Sequence, residues 1–385
     1  MPAGIFFTAA AVLLLIALHP FVFYPASLRI LKAMRAKQPA VVRVGAPPRQ
    51  SYSICVCAYN EAPIIRATIE SLLALRATAP DLQILLHVDG NGDGTADIAR
   101  AYGESIDVVV SPERKGKSYG LNRLLSSARG SIVILTDATV RIDPAAVERL
   151  GAHFADPQVG CVAGHLRYVN DGESTTAFVG SFYWRLEEAI KQLESDTGSV
   201  MGADGSIYAI RRALFRPIPE DMIDDMYLSM RVLCEGYRIT RAADVFAYEK
   251  SVTEANEEFR RKIRISCQAF AAHRALRPAI ARLSRLDRYK YYSHKLIRWF
   301  TGYTLTLAAL CFIAGIVAAW GWPVALGSVV LAAAFAAIGH LAKFRPVILA
   351  TDILASFTAT AIGVWKALQG DRIRTWEPAG SIRKA

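Results

Sequence analysis

Forty-four consecutive residues, Trp299 to Ala342, carry no Asp, Glu, Lys or Arg. A helix crosses the hydrocarbon core of a bilayer in about 20 apolar residues. This run therefore predicts two spans, broken at Gly321-Trp322-Pro323, a turn signal whose flanking aromatics suit a membrane interface. Met1 to Leu28 is likewise uncharged, and Gly4 to Tyr24 suffices for a further span. That segment lacks the basic start and short apolar core of a signal peptide and reads as a retained anchor. Another apolar stretch, Pro346 to Trp365, contains Asp352. It is long enough to cross or to lie at the interface. A crossing would carry Arg372, Arg374, Arg383 and Lys384 outside, against the positive-inside tendency, which favours an interfacial or re-entrant helix with a cytoplasmic tail.

Charge sets the orientation. Arg29, Lys32, Arg35, Lys37, Arg43 and Arg49 follow the first segment, with no acid before Glu61. This predicts an amino terminus outside, and a central region on the cytoplasmic side of the plasma membrane. The net charge of +11 is concentrated between Phe259 and Arg298, where twelve Lys or Arg face one acid, Asp287. Because that segment leads straight into a span, its expected partners are membrane lipids or a diphosphate, and not nucleic acid. With 53% apolar and 21% charged residues, the chain is neither a disordered polymer nor a disulfide scaffold. Cys55 and Cys57 lie in an apolar strand with no second pair or His at ligand spacing, which points to packing and not to zinc.

From Tyr52 onward short apolar runs alternate with helix-period stretches. Strands are predicted over 52–58, 82–88, 106–110 and 131–136, with helices over 63–76, 95–102 and 118–128. Continuous apolar strands such as SICVC and SIVIL fit a parallel sheet covered on both faces, hence a doubly wound α/β domain. Ligands bind such sheets beyond the carboxyl ends of the strands. The polar residues gather there: Tyr59-Asn60-Glu61, Asp89 to Asp93, and Asp137.

Three motifs fail. Asp89 to Gly94 begins like an EF-hand loop, but Arg100 stands where a bidentate Glu is needed. Gly116-Lys117-Ser118 resembles the end of a P-loop, but Ser111 replaces the first glycine. No GxGxxG follows the first strand, against a dehydrogenase-type dinucleotide fold.

Seven motifs in order carry a resemblance: CAYNE (57–61), VDGNGDGT (88–95), GKSYGLN (116–122), TDAT (136–139), GADGSIYAIRR (202–212), IDDMYL (223–228) and FRRKIR (259–264). Together they resemble glycosyltransferase family 2, inverting enzymes of the GT-A fold, in a membrane-anchored form that handles bacterial polysaccharide or lipid-linked saccharide. The resemblance implies a Rossmann-like, mostly parallel α/β domain with amino- and carboxyl-terminal transmembrane helices. It implies a nucleotide-sugar donor, a lipid-linked or saccharide acceptor, and Mg2+ or Mn2+.

Residue by residue, it implies that Tyr59 lies against the donor base, that Asp89 accepts hydrogen bonds from it, and that Glu61 and Lys117 belong to the donor site. Asp137 matches the first carboxylate of the metal motif, usually DxD, but its partner position is Thr139. Asp225 matches the catalytic base, and Asp204 and Asp224 the acceptor and diphosphate region. Arg260 and Arg264, at i and i+4 on a helix, share a face suited with Arg261 to a diphosphate.

The domain plan is an anchor over 1–28, a basic linker over 29–50, a catalytic domain over 51–258, basic interfacial helices over 259–298, two spans over 299–342, and a crossing or interfacial helix with tail over 343–385. Two rival functions stay open. A processive polysaccharide synthase is disfavoured because Gln268 is followed by Ala-Phe-Ala-Ala in place of the QxxRW motif. A binding or scaffold protein on a degenerate transferase fold is motivated by the missing second metal carboxylate.

Overall fold

The computed structural model describes residues 2–35, 50–90, 92–170 and 175–383. Most of the basic linker, with Lys37, Arg43 and Arg49, lies outside the described residues, as do Asn91 and Lys384.

Among the described residues eight strands form one sheet: β1 (Tyr52–Ala58), β2 (Gln83–Asp89), β3 (Asp107–Ser111), β4 (Ile132–Asp137), β5 (Arg141–Ile142), β6 (Val159–Tyr168), β7 (Ile207–Arg211) and β8 (Arg238–Glu249). Their order is β3-β2-β1-β4-β7-β6-β8-β5. β1 pairs in parallel with β2 and β4, and β2 with β3. Beyond β4 the sheet is mixed: β7 runs antiparallel between β4 and β6, while β8 is parallel to β6 and antiparallel to β5.

Both faces of the sheet are covered. Along β1, Ile54, Val56 and Ala58 join a core layer with Ile65 and Ile69 of the helix Ala62–Ala74. Cys55 and Cys57 join the opposite layer with Leu121 and Leu124 of the helix Lys117–Ser127. This alternation is the two-residue period of a strand, and each fully buried Leu or Ile contributes roughly 1.5–3 kcal/mol. From β1 the chain builds outward to β2 and β3 and then returns to place β4 on the other side. A ligand crevice forms beyond the carboxyl ends of the strands at such a reversal. Asp89 ends β2, Asp137 ends β4, and Tyr59 follows β1.

Three helical runs, Arg285–Trp320, Trp322–Leu341 and Arg345–Gln369, are long and apolar enough to cross a membrane. The single helix expected over Gly4–Tyr24 is instead two, Pro2–Leu18 and Phe23–Arg35, bent by 53°. The break falls at Pro20, which has no N–H to give to a helix. Pro2–Leu18 packs against the helix Ile297–Trp320, with Phe7 edge-on to Phe312 at 5.6 Å and over Gly315. Arg345–Gln369 packs on the helix Ala255–Ile280, where the Gly363 backbone approaches the Ile263 carbonyl closely. The following segment returns to the sheet domain, with Arg372 3.6 Å from Asp221 and Arg374 3.0 Å from Glu220.

His294, Lys295 and Arg298 fall in the stretch expected to form basic interfacial helices, yet in the structure they and Trp299 point inward. His294 Nδ1 lies 2.7 Å from Glu194 and its Nε2 3.1 Å from Glu187. Lys295 and Arg298 also reach Glu187, Tyr24 donates to Glu194, and Trp299 meets the Phe270 ring at 5.6 Å. Both glutamates belong to the helix Thr175–Asp196, so this buried cluster fastens the sheet domain to the helical segment. Removing one member of a buried ion pair strands the others and costs about 3–5 kcal/mol. Glu187→Ala should therefore lower the thermal unfolding midpoint of the purified protein by several degrees; an unchanged midpoint would show that these charges contribute nothing to the docking.

Candidate active site

The centre of the site is defined by a residue with no side chain. A Cβ placed on Gly205 would lie 3.3 Å from Asp225 Oδ2, 3.5 Å from Asp137 Oδ2 and 3.6 Å from Lys117 Nζ. Lys117 Nζ stands 2.7 Å from Asp137 Oδ1 and 3.0 Å from Asp224 Oδ1. Burial works against its charge, but the two carboxylates outweigh burial and raise its pKa above the ordinary lysine value. Asp224 is buried and also accepts the Tyr208 hydroxyl at 2.9 Å, so it is occupied in holding Lys117.

Asp225 differs from its neighbour. It lies in the first turn of the helix Asp224–Cys234 but is only half-buried, and it faces Gly205. Burial, and then the Asp224 charge, push its carboxyl up to about 7 against the pull of Lys117. A carboxylate with that pKa is matched to accepting a proton near neutral pH.

Asp89 is fully buried, and its two oxygens accept the amides of Lys115 at 2.7 Å and Gly116 at 2.8 Å. It shapes the loop that presents Lys117. The Arg114 guanidinium sits 3.9 Å above the Tyr59 ring, and the Trp376 ring meets Tyr59 edge-on at 5.8 Å. Glu61 is buried against Arg383; burial raises its pKa even though Arg383 opposes the shift. Arg114 also donates to the Trp376 carbonyl, and Gln268 donates to the Ile373 carbonyl at 2.8 Å. The segment 370–383 thus lies over the carboxyl ends of β1 and β2. Two open cavities lie elsewhere. One of about 320 Å³ is at the amino ends of β1 to β3, and one of about 470 Å³ lies between β6 and the helix Thr175–Asp196.

Asp204 is tied to Lys191 at 2.7 Å and to the Ser206 hydroxyl. On the helix Ala255–Ile280 the face turned to the site carries Arg261 and Arg264, while Arg260 is exposed. Arg261 is 3.3 Å from Glu258, and Arg264 donates to Gln268 at 3.0 Å. Burial, then repulsion from Arg261, lowers Arg264 to about 10, the mark of a guanidinium short of counter-charge.

Four residues at the site belong to no motif quoted above: Arg114, Trp376, Arg383 and Glu249. Glu249 ends β8, and its Oε1 accepts the Thr139 hydroxyl at 2.5 Å. Burial raises its pKa against the pull of the Arg261 charge, and Asp137 adds to the rise. Among the described residues no group of three His, Cys, Asp or Glu side chains is set to hold a metal alone. A hard cation shared with diphosphate oxygens needs only one or two protein carboxylates. Asp137, whose Oδ2 stays unshared on the Gly205 side among the described residues, fits that demand.

Residues 53–218 match the model of the family described as Glycosyl transferase family 2. An N-acetylglucosaminyltransferase of Rhizobium leguminosarum bv. viciae is 26% identical over 208 residues, 50% of this chain and 49% of that protein. The poly-beta-1,6-N-acetyl-D-glucosamine synthase of Staphylococcus epidermidis is 25% identical over 197 residues, covering 49% of this chain and 47% of its own. The chain spans about half the length of these curated relatives. Among solved structures, a mannosyltransferase from Pyrobaculum calidifontis in complex with GDP-Man and Mn2+ shares the fold, with a TM-score of 0.72 at 23% identity over 95% of this chain and 100% of that one.

The crowding around Gly205 yields a direct test. Displacement of reacting groups by an ångström can cost on the order of 10²-fold in rate. Gly205→Val should leave the circular-dichroism spectrum intact and lower turnover by at least that factor. A normal rate would mean that the space around Gly205 is not where the chemistry occurs.

Proposed function

Because residues 53–218 match the model of glycosyltransferase family 2, we propose that the protein transfers one sugar, with inversion, from a nucleoside-diphosphate donor to a lipid-linked or saccharide acceptor at the cytoplasmic face of the plasma membrane. The observation that carries this reading is the convergence of Lys117, Asp137 and Asp225 around Gly205. Asp225 takes the proton of the acceptor hydroxyl as that oxygen attacks the anomeric carbon. The bond from that carbon to the diphosphate breaks, and the electron pair leaves with the nucleoside diphosphate. Arg264, short of counter-charge, and Lys117 meet the developing negative charge. A bound Mg2+ or Mn2+ held by Asp137 would neutralise the diphosphate further.

Tyr59 supplies the aromatic face for the donor base, with Arg114 and Trp376 beside it. A UDP-linked N-acetylhexosamine is the donor class favoured by the family resemblance and by the N-acetylglucosaminyl relatives. The uncharged helices and the basic residues after the first of them support the membrane location. A bilayer-embedded acceptor would explain why apolar helices are fastened so closely to the sheet domain. Addition of one sugar, and not a polymer, is supported by the Ala-Phe-Ala-Ala that follows Gln268 in place of QxxRW.

Three outcomes are expected. Loss of a general base costs 10²–10⁴-fold, so Asp225→Asn should lower kcat by about that much with the donor KM little changed; unimpaired transfer would favour the scaffold alternative. Since Asp225 must be ionised to accept a proton, kcat/KM should rise with pH up to about 7 and level off above it. A profile flat from pH 5 to 8 would remove Asp225 from that role. Mass spectrometry of the product should find one added sugar per acceptor, whereas a ladder of long chains would establish the processive alternative.

A further inference from the structure

The TDAT motif lacks the second carboxylate of the family's metal site, and Thr139 stands in its place. The sheet brings another carboxylate to the same spot from more than a hundred residues away. β5 follows the motif directly and pairs antiparallel with the end of β8, Arg141 opposite Tyr248. That register sets Glu249 beside the TDAT turn, where the Thr139 hydroxyl donates to its Oε1. Glu249 is partly buried, and the nearby Arg261 charge that favours its ionised form is itself paired with Glu258 at 3.3 Å. The negative charges of Asp137 and Asp204 act on Glu249, and Lys117 pairs with Asp137 through Oδ1. An ionised carboxylate is costly to bury unless a cation compensates it, and here a second carboxylate stands close by.

We infer that Glu249 supplies the second protein carboxylate for the divalent cation, replacing in space the acid that the motif lacks in sequence. The inference rests on the donor reading above, in which Asp137 shares Mg2+ or Mn2+ with the diphosphate. Thr139 then acts as a positioning residue: its hydroxyl fixes the Glu249 carboxylate and contributes no metal bond. One carboxylate comes from each side of the β5–β8 pairing, with the remaining positions left to diphosphate oxygens and water, an arrangement suited to a small hard cation. It also explains why Thr is tolerated within the motif.

Mn2+ binding to the full-length protein, read by loss of the free-ion electron paramagnetic resonance signal in the presence of UDP or GDP, tests this without any turnover. Glu249→Gln should weaken Mn2+ binding at least tenfold, approaching the loss caused by Asp137→Asn, with metal-free nucleotide binding unchanged in calorimetry. The double variant Thr139→Asp with Glu249→Gln rebuilds the missing acid on the motif side and should recover most of the Mn2+ affinity. Wild-type Mn2+ affinity in Glu249→Gln, or no recovery in the double variant, would overturn the assignment while leaving the donor reading intact. Failure of the unmodified chain to bind nucleotide at all would instead overturn the donor reading, and this inference with it.

Discussion

An ammonium group held between two carboxylates organises this molecule. Lys117 begins the helix after β3, Asp137 ends β4, and Asp224 begins a helix well downstream, yet the three meet within hydrogen-bonding distance. Lys117 and Asp224 are largely removed from water, where a charge without a partner is costly. Their mutual compensation leaves the adjacent Asp225 as the carboxylate without a cation of its own, and the Asp224 charge raises its proton affinity. Structure and proposed chemistry are therefore coupled: the carboxylate that fixes Lys117 also raises the proton affinity of Asp225. In the proposed reaction Lys117 would serve both as the counter-ion between Asp137 and Asp224 and as a cation for the departing diphosphate.

The first half of the sheet was legible because its physics is local. Doubly covered parallel strands need uninterrupted apolar runs, and β1 through β4 are such runs, each within about a residue of its expected bounds. The carboxyl-end rim followed from the same logic. The second half was less legible, because β7 and β6 lie antiparallel through pairings between distant segments that no short pattern encodes. Pro20 did announce the break in the first helix, but an apolar count alone passed over it. The inward turn of His294, Lys295 and Arg298 was hidden because basic residues beside an apolar run look alike whether they face headgroups or buried glutamates. Only the two acids of the helix Thr175–Asp196 decide between them.

The site shows the same division. Motif residues with a local role came together as anticipated by their positions at strand ends and helix starts, whereas partners supplied from afar did not announce themselves. The expectation of an i, i+4 pair on the basic helix misjudged the face by one residue, so that Arg261 and not Arg260 turns inward with Arg264. Glu249, Arg114, Trp376 and Arg383 depend on tertiary contacts with Thr139, Tyr59 and Glu61. The covering segment 370–383 is held by charge pairs to Asp221, Glu220 and Glu61, by the Trp376 ring against Tyr59, and by Ile373 packed on the core.

In the proposed reaction one carboxylate draws a proton from an acceptor while the donor's diphosphate departs from the opposite face. Proton NMR of the first glycoside formed, before any spontaneous anomeric exchange, reports that event most directly. The predicted result is a product whose anomeric configuration is opposite to that of the nucleotide sugar consumed. A product of retained configuration would contradict single displacement at Asp225 and with it the assignment of the whole site.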